Sequence, residues 1–80
     1  MTYREAYDST RNWQRKANLI SLFHHKRLLI GKWTIKKTAR YFQVSVGKVS
    51  EDIRLCLSME MVKNCKRRSD ALLVIKNGNK

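Results

Sequence analysis

Ser45, Gly47, Lys48, Ser50 and Arg54 stand within one short stretch of the chain, separated by the apolar residues Val46, Val49 and Ile53. Hydroxyls, an ammonium and a guanidinium on one side of a helix can hydrogen-bond to base edges. Lys48 and Arg54 suit guanine acceptors, and a serine suits a donor or an acceptor. Gly47 carries no side chain, which lets a backbone come close to a surface; the plainer alternative is a helix defect costing up to about 1 kcal/mol relative to alanine. Lys36, Lys37 and Arg40 before this stretch, and Lys66, Arg67 and Arg68 after it, supply cations for phosphates. Such contacts fix position and contribute most of the affinity, with a steep loss as salt rises. Glu51 is the awkward residue there, because a carboxylate repels phosphate. It can accept from a cytosine amino group, but pairing with Arg54 or Lys48 on its own helix is the favoured expectation.

Enzyme chemistry finds little to work with. His24 and His25 are adjacent, which sets their rings about 100° apart on a helix and excludes the i, i+4 pair that grips zinc. Cys56 and Cys65 form no CxxC and are read as small apolar fillers in a reducing compartment. No glycine-rich phosphate loop and no pair of carboxylates at catalytic spacing occurs. No metal, cofactor or catalytic residue is therefore expected.

The elements that must position the polar stretch are legible from Thr34 to Leu57. Ile35, Ala39, Phe42, Val44, Val49 and Ile53 fall at spacings that a short helix, a bend and a second helix place on one inner face. Thr34 is the expected N-cap of a helix from Ile35 to about Phe42, and Ser45 the N-cap of a second helix beginning at Val46. Gln43 and Val44 form the bend. Ala39 is the small residue that lets two helices cross steeply, while Val49 and Ile53 anchor the second to the first. This is a helix-turn-helix pattern, whose second helix has its front and its N-terminal end free for a DNA major groove; a plain helical hairpin in a small core is the alternative.

Lys37-Thr38-Ala39-Arg40, followed by Phe42 and Val44, resembles the first helix and turn of phage Cro-type repressors. Val44-Ser45, Val49-Ser50 and Asp52-Ile53 resemble the recognition helix of DeoR-type bacterial regulators. The resemblance covers residues 34–57 and identifies a module, not an individual protein. It implies that Asp52 holds the second helix to its neighbour and does not touch DNA. The turn position usually held by glycine in that family is Gln43 here, where a left-handed backbone costs on the order of 1 kcal/mol.

Length and charge bound the rest. Eighty residues with no proline and three glycines predict a single all-α domain, small enough to gain from oligomerisation. Eighteen Lys and Arg against six Asp and Glu give a formal charge of +12, which draws the chain to polyanions. Seven of the cations fall in residues 1–33, five in 34–62 and six in 63–80, so the charge is not confined to a detachable tail. No apolar run is long enough for a membrane span and the N-terminus lacks a signal-peptide pattern, so a cytoplasmic location is expected.

In chain order, Thr2 and Glu5 form a possible capping box, with Asp8-Ser9-Thr10 as either its continuation or its break. From Arg11 onward Trp13, Ala17, Ile20, Phe23 or His24, and Leu28 recur at helical spacing. They predict a helix to about Leu29, ended by Gly31, with Trp13, Ile20 and Phe23 lying over the helix-turn-helix pair. Arg11, Arg15, Lys16, Lys26 and Arg27 then face water or phosphate. Trp33 is expected as a hydrophobic staple. The second helix of the pair runs through Leu57, with continuation to Val62 open.

Residues 63–80 read as a basic tail and oligomerisation segment. Ala71-Leu72-Leu73-Val74-Ile75 suits a short helix capped by Ser69, or a strand forming a wing. Five adjacent apolar side chains predict a contact through Leu72, Leu73 and Ile75, giving a homodimer or higher oligomer; folding back on the first helix is the alternative. The expectation for function is a sequence-specific double-stranded DNA-binding protein, a small transcriptional regulator of phage or plasmid type. The alternatives are a DNA-site-recognition subunit of a packaging, replication or partition complex, and a less specific nucleic-acid-binding protein.

Overall fold

Four helices begin where a side-chain oxygen can take up otherwise orphan amides. Thr2 accepts from Glu5 N–H while the Glu5 carboxylate accepts from Thr2 N–H, the reciprocal capping box, and α1 follows over Tyr3–Ser9. Asn12 accepts from Gln14 and Arg15 N–H and starts α2, Trp13–Ile30. Thr34 caps α3, Ile35–Phe42, and Ser45 caps α4, Val46–Leu57. One turn, α5, spans Met59–Val62, and α6 spans Arg68–Gly78. The computed structural model describes residues 2–78, and among these there is no strand.

Two apolar clusters hold the helices. In the first, Tyr7, Ile20, Phe23, Ala39, Phe42 and Val49 are buried, with Trp33, Ile35, Val44 and Ile53 packed against them. Phe23 is its hub. Its ring stacks on Tyr41 at 4.1 Å between centroids and meets Phe42, Trp33 and Tyr3 edge-on at 5.3, 5.9 and 5.6 Å. The second cluster buries Leu55, Val62, Ala71 and Ile75, with Trp13, Met59, Cys65, Leu72 and Val74 around it. Phe42, Ile20, Leu55, Val49 and Val62 are fully sealed from solvent, and each such side chain contributes about 1.5–3 kcal/mol.

α4 belongs to both clusters, through Val49 and Ile53 to one and Leu55 to the other. Its back is therefore fixed along most of its length.

Several sequence expectations change here. Trp13 does not join Ile20 and Phe23 in the first cluster: it packs against the second, which includes Leu55 of α4, and its indole N–H donates to the Cys65 carbonyl at 2.9 Å. Leu28 does not face inward. His24 is the last buried residue of α2, whose final turn runs past the layer it covers and leaves Leu28, Leu29 and Ile30 exposed. α4 does not continue to Val62, because Ser58 N–H turns back to the Arg54 and Leu55 carbonyls and α5 is a separate turn.

The last segment is neither a strand nor a loose tail. α6 starts at Arg68, so Ser69 lies within it and is not its cap. Ala71 and Ile75 close the second cluster against α4 and α5. Ile75 is thus spent inside its own chain, Leu72 is half-buried, and of the three residues expected at an oligomer contact only Leu73 is exposed.

Candidate nucleic-acid interface

The turn between α3 and α4 is built by Gln43, the one described non-glycine residue with a left-handed backbone (φ 57°, ψ 47°). Its N–H bonds the Arg40 carbonyl at 3.2 Å, and Val44 N–H bonds the Ala39 carbonyl at 3.0 Å. This Schellman pattern ends α3, with Val44 folded onto the first cluster. Arg4 staples the turn from α1. Its guanidinium donates to the Tyr41 carbonyl at 3.1 Å and to Gln43 Oε1 at 3.0 Å, and its Nε donates to Asp8 at 3.0 Å. The sequence reading missed this role of Arg4, since the partner lies 39 residues away and no local pattern links the two.

An α-helix advances about 100° per residue, and burial along α4 follows that rule. Val49, Asp52 and Leu55 point inward; Val46, Gly47, Arg54 and Leu57 are exposed, with Ser50 half-exposed among them. Together with the N-cap Ser45, four of the expected readout residues therefore share one outer surface. Val46 belongs with them and was missed; its place four residues before Ser50 was the available signal. A Cβ built at Gly47 meets nothing nearer than Ser45 Oγ at 4.0 Å, so the fold itself does not require glycine there.

Lys48 is the exception. Two residues from Ser50, it lies about 160° around the helix and is half-buried among charges from Asp52, Arg68, Lys16 and Glu51. Burial pushes its ammonium below the ordinary lysine value, and the Asp52 charge opposes that shift. It does not share the outer surface with Arg54.

Among the expected phosphate contacts, Lys36, Lys37 and Arg40 are exposed on α3, and Lys66 and Arg67 on the connector before α6. The Lys37 ammonium stands 5.4 Å from the Trp33 ring centroid. Arg67 faces Asp70 at 3.3 Å in an exposed pair, which holds it only weakly. Arg68 departs from expectation: its Nε donates to Asp52 Oδ1 and its Nη2 to Glu51 Oε1, both at 2.8 Å. Glu51 accordingly pairs with Arg68, and with neither Arg54 nor Lys48. Asp52, 1% exposed, ties α4 to α6 through that arginine.

On α2, Lys16 lies 4.4 Å from the Tyr7 ring centroid, and the Arg27 guanidinium lies 5.3 and 5.1 Å from those of Phe23 and Trp33. All six carboxylates are engaged. Glu5 caps α1, Asp8, Glu60 and Asp70 pair with nearby cations, and Arg68 holds the remaining two. Among the described residues Lys36, Lys37, Arg40, Arg54 and Lys66 form no ion pair, so no carboxylate of those residues answers their charge.

No three of His, Cys, Asp and Glu gather as a metal site among the described residues, and none of the described helices is long and apolar enough to cross a membrane. Cys56 donates to Asn18 Oδ1 at 3.2 Å, and burial pushes its thiol up. No family model, curated protein or solved structure matches the chain. Its class is defined by its own geometry, a small all-α domain that presents one helix beyond a tight turn.

Proposed function

We propose that this chain binds double-stranded DNA in a sequence-specific manner, with the outer surface of α4 in the major groove, and acts as a small transcriptional regulator of phage or plasmid type. The observation that carries the reading is the two-sidedness of α4: its back is clamped in both apolar clusters, while Ser45, Val46, Gly47, Ser50 and Arg54 stand free on its front. Arg54 offers a bidentate contact to guanine, Ser50 a hydroxyl to a base edge, and Val46 an apolar contact to a thymine methyl. Gly47 lets the backbone approach. Lys36, Lys37, Arg40, Lys66 and Arg67 neutralise phosphates and supply most of the affinity.

Regulation by operator occupancy needs a defined site, and two copies on a palindrome would space their half-sites about one helical turn apart. The exposed apolar end of α2, with Leu29 at 88% and Ile30 at 77% exposure, favours a second reading in which the same module marks a DNA site for a larger packaging, replication or partition assembly.

Selection from a random duplex pool at near-physiological salt, followed by footprinting, tests the proposal. A defined protected site is expected, and Arg54→Ala should cost about 1–3 kcal/mol on that site and little on scrambled DNA. Binding without sequence preference sinks it. A palindromic footprint favours the regulator; a ring-sized oligomer or co-purifying ATPase favours the assembly subunit.

A further inference from the structure

We propose that Arg68 is a positioning residue for DNA specificity: by drawing Glu51 toward α6 it leaves Arg54 unpaired and free to read a base. The inference rests on the DNA-binding reading above and concerns the same surface. Glu51 and Arg54 are three residues apart on α4, neighbours about 60° apart around the helix, and such opposite charges pair on an isolated helix by default. Here they do not. The Glu51 carboxylate lies 2.8 Å from Arg68 Nη2, and Arg54 is exposed with no ion pair among the described residues. The two nevertheless line one groove together with Leu72, Ile75 and Lys76, so a released Glu51 has Arg54 within its reach.

Arg68 is held where it can do this. Its Nε edge is fixed by Asp52, a carboxylate almost wholly buried, whose second oxygen has no hydrogen-bond partner among the described residues. That carboxylate depends on Arg68 for its compensation, which makes the anchor hard to displace. With Nε on one acid and Nη2 on the other, Arg68 cannot offer its paired edge to a phosphate. Its part in binding runs through Glu51. It also makes α6 a requirement for readout by α4.

The test reads discrimination, the ratio of Kd for a scrambled duplex to Kd for the selected one, at fixed salt. Removing a charge shifts affinity for both duplexes alike, whereas capture of Arg54 by Glu51 lowers only the ratio. Asp52→Asn with Arg68→Gln replaces the buried ion pair by an amide pair, and should reduce discrimination roughly tenfold, within the span of one lost bidentate base contact. Adding Glu51→Gln should restore it to within about twofold of wild type, since a neutral amide has no claim on the guanidinium. If the double variant does not fold by circular dichroism, Arg68→Lys serves instead. A point charge cannot bridge two carboxylates as a planar fork does, so a smaller loss, again rescued by Glu51→Gln, is expected. Unchanged discrimination in the Arg68 variant, or failure of Glu51→Gln to restore it, overturns this inference while the DNA-binding reading stands. A wild-type chain that does not discriminate between duplexes overturns both.

Discussion

His24 Nδ1 lies 2.8 Å from Thr38 Oγ1, a buried contact that joins α2 to α3. The same oxygen accepts the Trp33 indole N–H at 2.7 Å, and a hydroxyl so engaged keeps one proton and one lone pair for the imidazole nitrogen.

Burial, and then the neighbouring charge of His25, hold His24 below the ordinary histidine value of 6.5. Between that value and the lower folded one, the unfolded chain binds more protons than the folded chain, so stability falls as pH falls. Urea midpoints should be steady above about pH 7 and decline from there toward pH 5. His24→Gln should flatten that decline. An equally steep decline in the variant would remove His24 as its cause.

Gln43 holds a left-handed conformation, and among the described residues its side chain receives only the exposed Arg4 bond. Gln43→Gly relieves on the order of 1 kcal/mol of strain and gives up a bond worth a few tenths to about 1 kcal/mol. A net gain of up to about 0.5 kcal/mol in chemical denaturation is expected, with DNA discrimination unchanged. A loss of discrimination would show that Gln43 itself faces DNA.

Lys48 and Arg54 separate the two sides of α4. Lys48→Met should alter DNA affinity by less than about threefold, because the ammonium lies beside Asp52 and not on the outer surface. Arg54→Ala should lose most of the preference for the selected site. Titration of both variants against selected and scrambled duplexes checks this, and a larger site-specific loss for Lys48→Met would mean that α4 docks by a different side.

Ile75 and Leu73 distinguish core from contact surface within α6. Ile75→Ala removes a buried side chain and should cost about 2–5 kcal/mol, whereas exposed Leu73→Ala should stay within about 0.5 kcal/mol. Sedimentation of Leu73→Ala then asks whether that residue supports self-association. Loss of an oligomer present in wild type would assign Leu73 to the interface without Ile75.

Local chemistry was legible wherever a residue acts on neighbours within one turn. Thr2 with Glu5, Thr34, Ser45, Gly31 and the bend at Gln43 were all readable, because caps and turns are decided by the backbone groups beside them. So was the inner face of α3 and α4, since helical periodicity alone places Ala39, Phe42, Val49 and Ile53 together. Trp33 was expected as a hydrophobic staple, yet its partner one turn on is the Thr38 hydroxyl, reached by a hydrogen bond, while its ring packs against the first cluster.

What only the tertiary structure decided is where long side chains go. Arg68 offers the same charge as Arg67, yet it reaches back 16 and 17 residues to Asp52 and Glu51 while its neighbour stays in solvent. Trp13 bonds the Cys65 carbonyl, 52 residues on, and Ile75 is consumed by a core that exists only once α4, α5 and α6 have met. The physical reason is range: capping and periodicity act over three or four residues, whereas partner choice for a guanidinium or an apolar face depends on which distant surface the fold brings within a few ångströms.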